Sequence, residues 1–288
     1  MAPHIQFTAD QALSPNATFD AGVLAGKSIV VTGGTSVGAR SEHAGKRLLD
    51  EFGPKQLRFV QCDIMSWSDQ LKLFKTALAE SPARTLDIVF ANAGISGPDD
   101  VFLESPLTPE GDPVKPNVNV IETDIVGTMY TIKLANHYLP RQPAGADRDR
   151  LVLITGSLAG YVDRPGRSTV CCCQGFGVRG IMRCMRRTGP NHGVRYNILA
   201  PWYIRSKVMS AEVADKIMAN GIDLASMDDA ATAILHIASD VKLNGRTIAV
   251  VPRSETPKGY LDVKQDDIDD DKMLAGWQRK CDQAASHV

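Results

Sequence analysis

The chain lacks any apolar run of the roughly 20 residues needed to span a bilayer, and it lacks a charge imbalance, with 32 basic and 33 acidic residues. A net charge of −1 gives no attraction to nucleic acid or to an acidic membrane surface. The six cysteines, three of them consecutive, do not have the spacing of a disulfide framework or a metal site, and the six histidines are scattered. We therefore expect a reduced, cytoplasmic protein without metal, nucleic-acid or membrane partners.

Short β-branched runs alternate with helical patterns along residues 26–258. Buried strands are predicted at 28–32, 57–60, 86–90, 151–154, 194–199 and 247–251, and long helices at about 117–137 and 169–188. This alternation predicts an α/β fold, a doubly wound parallel sheet of six or seven strands with helices on both faces. We expect one domain over 26–258, an irregular segment over 1–25 without a secretory signal, and an acidic tail or edge helix over 259–288.

Polar or glycine-rich phrases follow four of the predicted strands. A turn at Gly33–Gly38 follows the first, Asp63 the second, Asn92-Ala93-Gly94 the third and Gly156-Ser157 the fourth. Backbone N–H groups of such a turn can approach a pyrophosphate at the start of a helix. In order and type, these phrases resemble the short-chain dehydrogenase/reductase family over about residues 25–255, and in particular its fungal prostaglandin-dehydrogenase-like members.

The resemblance implies a Rossmann-type fold with NAD(P)(H) as cofactor. It implies that Asp63 holds the adenine and that Asn92-Ala93-Gly94 lines the cofactor and braces the sheet. The cofactor-binding residues expected from it are Gly33, Ser36, Gly38, Asp63, Asn92 and Gly94.

The cofactor half of the chain departs from the family in two ways. Either Val37 and Ala39 replace two glycines of the turn, or one residue has been lost before Val37. Only 30 positions separate Gly33 from Asp63. The family has a longer segment between these positions, so by this comparison one strand–helix unit is missing. We expect Leu57–Val60 to fill the vacated place beside the first strand, because an empty place would expose unpaired backbone. A dinucleotide is then either not required or a weak or structural ligand.

The catalytic half departs further from the family, whose site uses Asn, Ser, Tyr and Lys. Ser157 is retained, whereas Asp124 replaces the asparagine, Cys171 the tyrosine and Gly175 the lysine. A positioned general acid contributes about 10²–10⁴ in rate. We therefore expect ordinary carbonyl reduction to be slow or absent.

Three side chains are candidates for the missing chemistry. Asp124 either acts as an acid/base whose pKa is raised by burial, or replaces asparagine in a structural hydrogen bond. Tyr161 either substitutes for the missing tyrosine or packs at the base of its loop. Cys171, near the start of a helix, is either a thiolate nucleophile or core filler.

An aromatic turn and a basic stripe complete the candidate residues. Trp202, Tyr203 and Ile204 either line a substrate pocket or pack their own loop. The stripe of Arg179, Arg183, Arg186 and Arg187 is interpreted as a solvated helix face or a subunit contact.

The function predicted first is a non-redox isomerase or cyclase, with the Diels–Alder type included, or a lyase, acting on a small natural-product intermediate. Such reactions need orientation and at most one acid/base group. The alternatives are a slow NAD(P)-dependent oxidoreductase and a non-catalytic scaffold. The resemblance also implies a homodimer or homotetramer formed through the two long helices.

Overall fold

The computed structural model describes residues 12–14, 16–33, 38–39, 41–95, 106–142, 149–163, 169–206, 209–268 and 272–285. The strands are β1 (Ile29–Val31), β2 (Gly38–Ala39), β3 (Val60–Gln61), β4 (Ile88–Ala91), β5 (Leu151–Thr155), β6 (Arg195–Pro201), β7 (Thr247–Val250) and β8 (Tyr260–Asp262). The helices are α1 (Glu42–Phe52), α2 (Trp67–Glu80), α3 (Asn119–Ile121), α4 (Thr128–Tyr138), α5 (Thr169–Thr188), α6 (Ala211–Ala219), α7 (Met227–Ser239) and α8 (Lys272–Ala285). A π-helical turn at Glu122–Gly127 joins α3 to α4, and 3₁₀ turns lie at Ala21–Leu24, Leu158–Gly160 and Gly189–His192.

Six strands form one sheet in the order β1-β4-β5-β6-β7-β8, and all but the last are parallel. The α/β prediction is therefore confirmed. The antiparallel strand β8 comes from the segment predicted to be a tail or edge helix, and Asp266, just beyond it, is only 5% exposed. This part of the segment is thus built into the fold, while α8 forms a helix after it.

The predicted position of residues 57–60 is wrong. Val60 and Gln61 pair in parallel with Gly38 and Ala39 in a separate two-stranded ladder, not with β1. Within the described residues, β1 pairs only with β4. The physical reason is that the backbone of β3 already pairs with β2 and is not available to β1 there.

Side chains of alternate sheet residues enter two apolar cores, one on each face. Val89, Val152 and Ile198 pack with α2, α4 and α5 on one face. Leu153 and Ile248 pack on the other face with α7 and part of the segment before β1. The carboxyl ends of β1, β4, β5 and β6 therefore meet at one edge, where the candidate site residues emerge.

Candidate functional site

A small hydrogen-bonded group joins three strand ends at this edge. The hydroxyl oxygen of Thr32 accepts from the backbone N–H groups of Asn92 and Ala93, at 3.2 and 3.3 Å. The Asn92 side chain donates to the Thr32 carbonyl at 3.3 Å and accepts from the Thr155 hydroxyl at 3.0 Å. Thr32 and Thr155, not recognised from the sequence, thus fix the strand ends that carry Asn92-Ala93-Gly94.

Gly33 lies where no larger residue fits. Its φ is +78°, and a β-carbon would stand 2.3 Å from the Cα of Ala93. Glycine is therefore required both by the backbone conformation and by the close approach of the next strand end.

The described residues after Gly33 do not form a phosphate-binding helix start. Ser36 lies outside the described residues, and Gly38 is in β2, paired with Val60, rather than in a turn that opens directly into a helix. Helix α1 begins only at Glu42, and an acidic residue in a first turn opposes a phosphate there.

Asp63 stabilises the loop that leaves β3. Its carboxylate accepts from the Met65 backbone at 3.0 Å, while its own N–H donates to the Asp69 carboxylate at 3.1 Å. The position at the carboxyl end of β3 is compatible with the adenine role that the resemblance implies.

Asp124 is a buried carboxyl group in the π-helical turn, with 7% of its surface exposed. Its Oδ1 accepts from the backbone N–H of Ile95 at 2.9 Å, and a β-carbon on Gly94 would stand 3.4 Å from both carboxylate oxygens. Burial raises the pKa of Asp124 to about 6, although the Ile95 hydrogen bond opposes the shift. At neutral pH the group is therefore mostly ionised with a protonated minority, and the two forms become equal as the pH falls to about 6, which suits proton transfer. The Ile95 hydrogen bond fits the structural reading of Asp124, and the acid/base reading stays a prediction.

Ser157 follows β5 at the same edge. Its Oγ accepts from the Ala159 N–H at 3.1 Å and caps the 3₁₀ turn Leu158–Gly160. This bond uses the oxygen as an acceptor, so the hydroxyl proton remains available for donation.

Position 175, which the resemblance aligns with the family lysine, is closely packed against backbone. A β-carbon on Gly175 would stand 2.6 Å from the Gly160 nitrogen, and one on Gly160 would stand 2.7 Å from the Gly175 carbonyl carbon. Helix α5 therefore packs against the turn after Ser157 with no space for a side chain at 175. Cys171 lies in the first turn of α5, and its side chain falls outside the described structure.

Tyr161 has its hydroxyl bonded within the protein, and its role as a substitute acid stays a prediction. Its hydroxyl lies 2.6 Å from the Thr247 hydroxyl and donates to Asp266 at 2.8 Å. Burial and the neighbouring Asp266 raise its pKa. The hydroxyl is thus engaged in a buried network, as the packing interpretation expected.

The basic stripe also proves to be largely internal. Arg179 and Arg183 pair with Asp266 at 2.8 and 3.0 Å, and Arg186 is only 1% exposed. Arg179 and Arg186 are therefore not part of a solvated face, whereas 35% of the Arg183 side chain is exposed, and the subunit-contact interpretation stays a prediction. Asp266 lies on the segment predicted as a tail, and its place here could not be read from the sequence.

The aromatic turn continues from the carboxyl end of β6. The rings of Trp202 and Tyr203 meet edge to face at 4.7 Å, and Trp202 donates its backbone N–H to Val250 at 2.9 Å. Ile204 bridges to Ala225 and packs against the second apolar core, which favours a structural role for its side chain. Both aromatic residues are half-buried at the site edge.

Gln70 is a further residue missed from the sequence. It is completely buried in α2 and donates to the Ile64 carbonyl in the loop after β3 and to the Gly127 carbonyl at the end of the Asp124 turn. The available signal was a polar residue on the helix face that also carries Leu73 and Phe74, both buried.

Nothing in the described residues forms a group of three or more metal-ligating side chains. No described helix has the length and apolar character of a membrane span.

Comparison with known proteins identifies similar sequences and folds. The family model for short chain dehydrogenases matches residues 24–217. The 5'-hydroxyaverantin dehydrogenase of Dothistroma septosporum is 30% identical, over 91% of this chain and 92% of that protein. The enzyme of the same name from Emericella nidulans is 34% identical, over 76% and 73%.

Among solved structures, a short-chain type dehydrogenase/reductase from Mycobacterium marinum matches with a TM-score of 0.66 at 20% identity, over 78% of this chain and 94% of that one. A 3-ketoacyl-(acyl-carrier-protein) reductase from Brucella melitensis, complexed with NADH, matches with a TM-score of 0.65 at 18% identity, over 79% and 98%. At these identities the likeness concerns the fold.

Proposed function

Because the chain belongs to the short-chain dehydrogenase family, we propose that it is an NAD(P)-dependent oxidoreductase of secondary metabolism in which Asp124 moves the proton. The observation that carries the proposal is the buried Asp124 carboxyl group, with its pKa raised to about 6, at the edge where the strand ends meet. The dehydrogenases named for 5'-hydroxyaverantin support a hydroxylated natural-product intermediate as substrate. This places the redox reaction ahead of the non-redox one favoured from the sequence.

The described residues fit the nicotinamide end of a dinucleotide better than its phosphates. The hydrogen-bonded group of Thr32, Asn92 and Thr155 supplies a rigid polar floor, and the absence of a side chain at Gly94 leaves backbone open beside Asp124. Asp63 would hold the adenine. The bound cofactor would supply the hydride acceptor for oxidation of an alcohol.

Asp124 would supply the proton step. Its Oδ1 holds the Ile95 N–H, so we assign the substrate's hydroxyl proton to Oδ2. With a pKa of about 6 the group is mainly ionised above neutral pH, which favours it as a base for alcohol oxidation over an acid for carbonyl reduction. Ser157 would donate its hydroxyl proton to the substrate oxygen, and Trp202 and Tyr203 would bound the substrate with apolar surface.

A non-redox isomerase, cyclase or lyase is the second candidate. It is favoured by the contact between Gly160 and Gly175, which leaves no side chain at the lysine position, and by the engagement of Tyr161 with Asp266. A proton transfer by Asp124 on an oriented substrate needs no hydride.

The test incubates the purified protein with 5'-hydroxyaverantin and either NAD⁺ or NADP⁺, and measures products by mass spectrometry. Oxidation lowers the product mass by two hydrogens, isomerisation or cyclisation leaves the mass unchanged, and elimination yields a smaller fragment. Only the first outcome, with stoichiometric reduced cofactor, supports the proposal. Product of unchanged or fragmented mass favours the second candidate.

Asp124→Asn is the informative variant because it keeps the size and the Ile95 hydrogen bond while removing the titrating group. We expect it to lower turnover by about 10²–10⁴. Asp50→Asn, the same change at an exposed carboxylate on α1, is the matched control and should keep the parental rate. Full turnover in Asp124→Asn would rule out Asp124 as the acid/base. Fluorescence titration with NADPH reports dinucleotide affinity independently of turnover.

We also propose that the active form is a homodimer or homotetramer. One exposed stripe of α5 carries no charge and consists of Cys173, Phe176, Gly180 and Cys184, and Met129 of α4 is 52% exposed. Light scattering after gel filtration would show the mass of the assembly, and Phe176→Glu should shift it towards the monomer.

A further inference from the structure

Gln70 connects two loops that do not otherwise meet in sequence. Its side chain is 0% exposed, and its Nε2 donates to the carbonyl oxygens of Ile64 at 2.6 Å and Gly127 at 2.9 Å. Its Oε1 accepts from the Thr131 hydroxyl at 2.7 Å. All the hydrogen-bonding groups of this amide are therefore used inside the protein.

The backbone that Gln70 holds belongs to the turn carrying Asp124. Glu122–Gly127 is π-helical, so its carbonyl groups depart from the regular helical ladder and depend more on outside donors. Gly127 ends this turn, and the Gln70 amide reaches its carbonyl oxygen. One turn earlier lies the Asp124 side chain, fixed at Ile95.

The opposite end of the bridge is the loop after β3. A β-carbon on Gly127 would stand 2.9 Å from the Ile64 Cδ1 and 3.3 Å from the Ile64 carbonyl oxygen. The π-helical turn thus touches the loop at a glycine, and Gln70 ties the two backbones at that point. Asp63, the residue that the resemblance assigns to adenine, is the immediate neighbour of Ile64.

We propose that Gln70 is a positioning residue, which sets the placement of Asp124 by clamping the π-helical turn to the loop after β3. The role rests on the proposed function of Asp124, but it concerns where that side chain lies and not whether it transfers a proton. Without the clamp, the turn can relax towards a regular helix, which rotates Asp124 and admits water to its carboxyl group.

The experiment measures the titration of Asp124 by carbon-13 NMR of the full chain labelled at aspartate carboxyl carbons. The Asp124 resonance is assigned with Asp124→Asn. In Gln70→Leu, which keeps the volume but loses all three hydrogen bonds, we expect the midpoint to fall from about 6 by about one pH unit. Burial is the larger influence on this pKa, so entry of water outweighs loss of the Ile95 bond. Exchange of the Ile95 amide proton should become faster as well.

Gln142→Leu is the matched control. Gln142 is also buried and also bonds backbone, accepting from Leu86 at 2.7 Å and donating to Tyr138 at 3.3 Å, at the far end of α4. Its removal should lower stability without moving the Asp124 midpoint. A midpoint that is unchanged in Gln70→Leu, or equally changed in Gln142→Leu, would overturn the positioning role.

Thr131→Val keeps the proposal testable if Gln70→Leu does not fold. This variant removes only the hydroxyl that holds the Gln70 Oε1, and we expect a smaller fall of the same midpoint. An unchanged midpoint in the folded Thr131→Val variant would then overturn the role. Failure of the proposed function would be seen separately, as undiminished turnover in Asp124→Asn.

Discussion

The two ends of the central sheet are held together by different means. On the β6–β8 side, buried arginines bind carboxylates and backbone: Arg246 makes paired hydrogen bonds to both Asp262 and Asp267, and Arg195 does so to Asp149. On the β1–β3 side, two strands are only two residues long, and the ion pair described there, Arg58 with Glu80, is about half exposed.

This difference shows which half of the family fold the chain has retained. The β6–β8 side, with α5, supports Ser157 and the aromatic turn and is braced by buried charge. The β1–β3 side binds the adenosine part of a dinucleotide in the family; here β1 pairs with β4, and β2 and β3 form a short separate ladder. Asp124 and Gln70 lie between these halves, and Gln70 bonds the loop after β3 as well as the Asp124 turn, so their chemistry depends on both halves.

The largest expected effect on stability comes from removing the Asp266 carboxylate on the β6–β8 side. Asp266→Ala leaves Arg179 and Arg183 without their carboxylate and leaves the Tyr161 hydroxyl with Thr247 as its described partner. Because a buried charge left without its partner destabilises the folded state, we expect a loss of about 3–5 kcal/mol in the free energy of unfolding. Urea denaturation followed by circular dichroism measures it.

Glu80→Gln is the corresponding change on the reduced side. Since the Arg58–Glu80 pair is exposed, its loss should change the unfolding free energy by about 0–1 kcal/mol. Equal losses in the two variants would show that the halves are not braced differently.

The next largest effect concerns the close contact between Gly160 and Gly175. Gly175→Lys restores the residue type found in the family, but its β-carbon meets the Gly160 nitrogen at 2.6 Å. We expect destabilisation by about 2–3 kcal/mol and no gain of turnover with NAD(P)H. Thermal unfolding and the mass-spectrometric assay measure both.

Gly180→Ala controls for the loss of a helical glycine on α5. A β-carbon at 180 has nothing within 4 Å, so alanine should stabilise the protein by about 0.5–1 kcal/mol. A Gly175→Lys variant that is as stable as the parent and reduces carbonyls would show that helix α5 can move to readmit the lysine.

The sequence was sufficient for the α/β class and for the five parallel strands of the main sheet, but not for β8 or for the partner of β3. Alternating β-branched runs define the buried strands, and Asn92, Asp124 and Ser157 were found because their order along the chain matches the family. Side-chain partners far apart in sequence were not accessible in this way. Asp266 was interpreted as part of an acidic tail, because the residues next to it in sequence do not indicate its contacts with three arginines of α5. Gln70 was not distinguished from other helix residues.

The misplaced strand has a similar origin. Leu57–Val60 has the composition of a buried strand, but composition does not specify its neighbour. The partner of β3 depends on which other segment lies beside it, and Gly38 and Ala39 of β2 lie beside Val60 and Gln61.

A smaller effect is expected at the boundary between the two halves, in Asp124→Asn. The folded-state pKa of Asp124, about 6, is above the ordinary value of 3.8, so ionisation opposes folding. The stability linked to the protonated group is fully present below pH 3.8 and is lost as pH rises through about 6. Asparagine should therefore raise the unfolding free energy at pH 8 by roughly 1–2 kcal/mol, with the advantage shrinking towards pH 4. Urea denaturation of both proteins across this range measures it, and a difference independent of pH would contradict the assignment.

The smallest expected effect is that of Tyr161→Phe, which distinguishes a contribution of this side chain to stability from a contribution to catalysis. Tyr161→Phe removes the hydroxyl shared with Thr247 and Asp266 but leaves both arginines on that carboxylate. Loss of the hydrogen bond to the Asp266 carboxylate and the one shared with Thr247 should cost about 1.5 kcal/mol of unfolding free energy. Turnover should stay within about twofold of the parent, because a positioned acid would contribute at least 10². A hundredfold loss of turnover at unchanged stability would instead make Tyr161 the proton donor, and would require its hydroxyl to leave Asp266 when substrate binds.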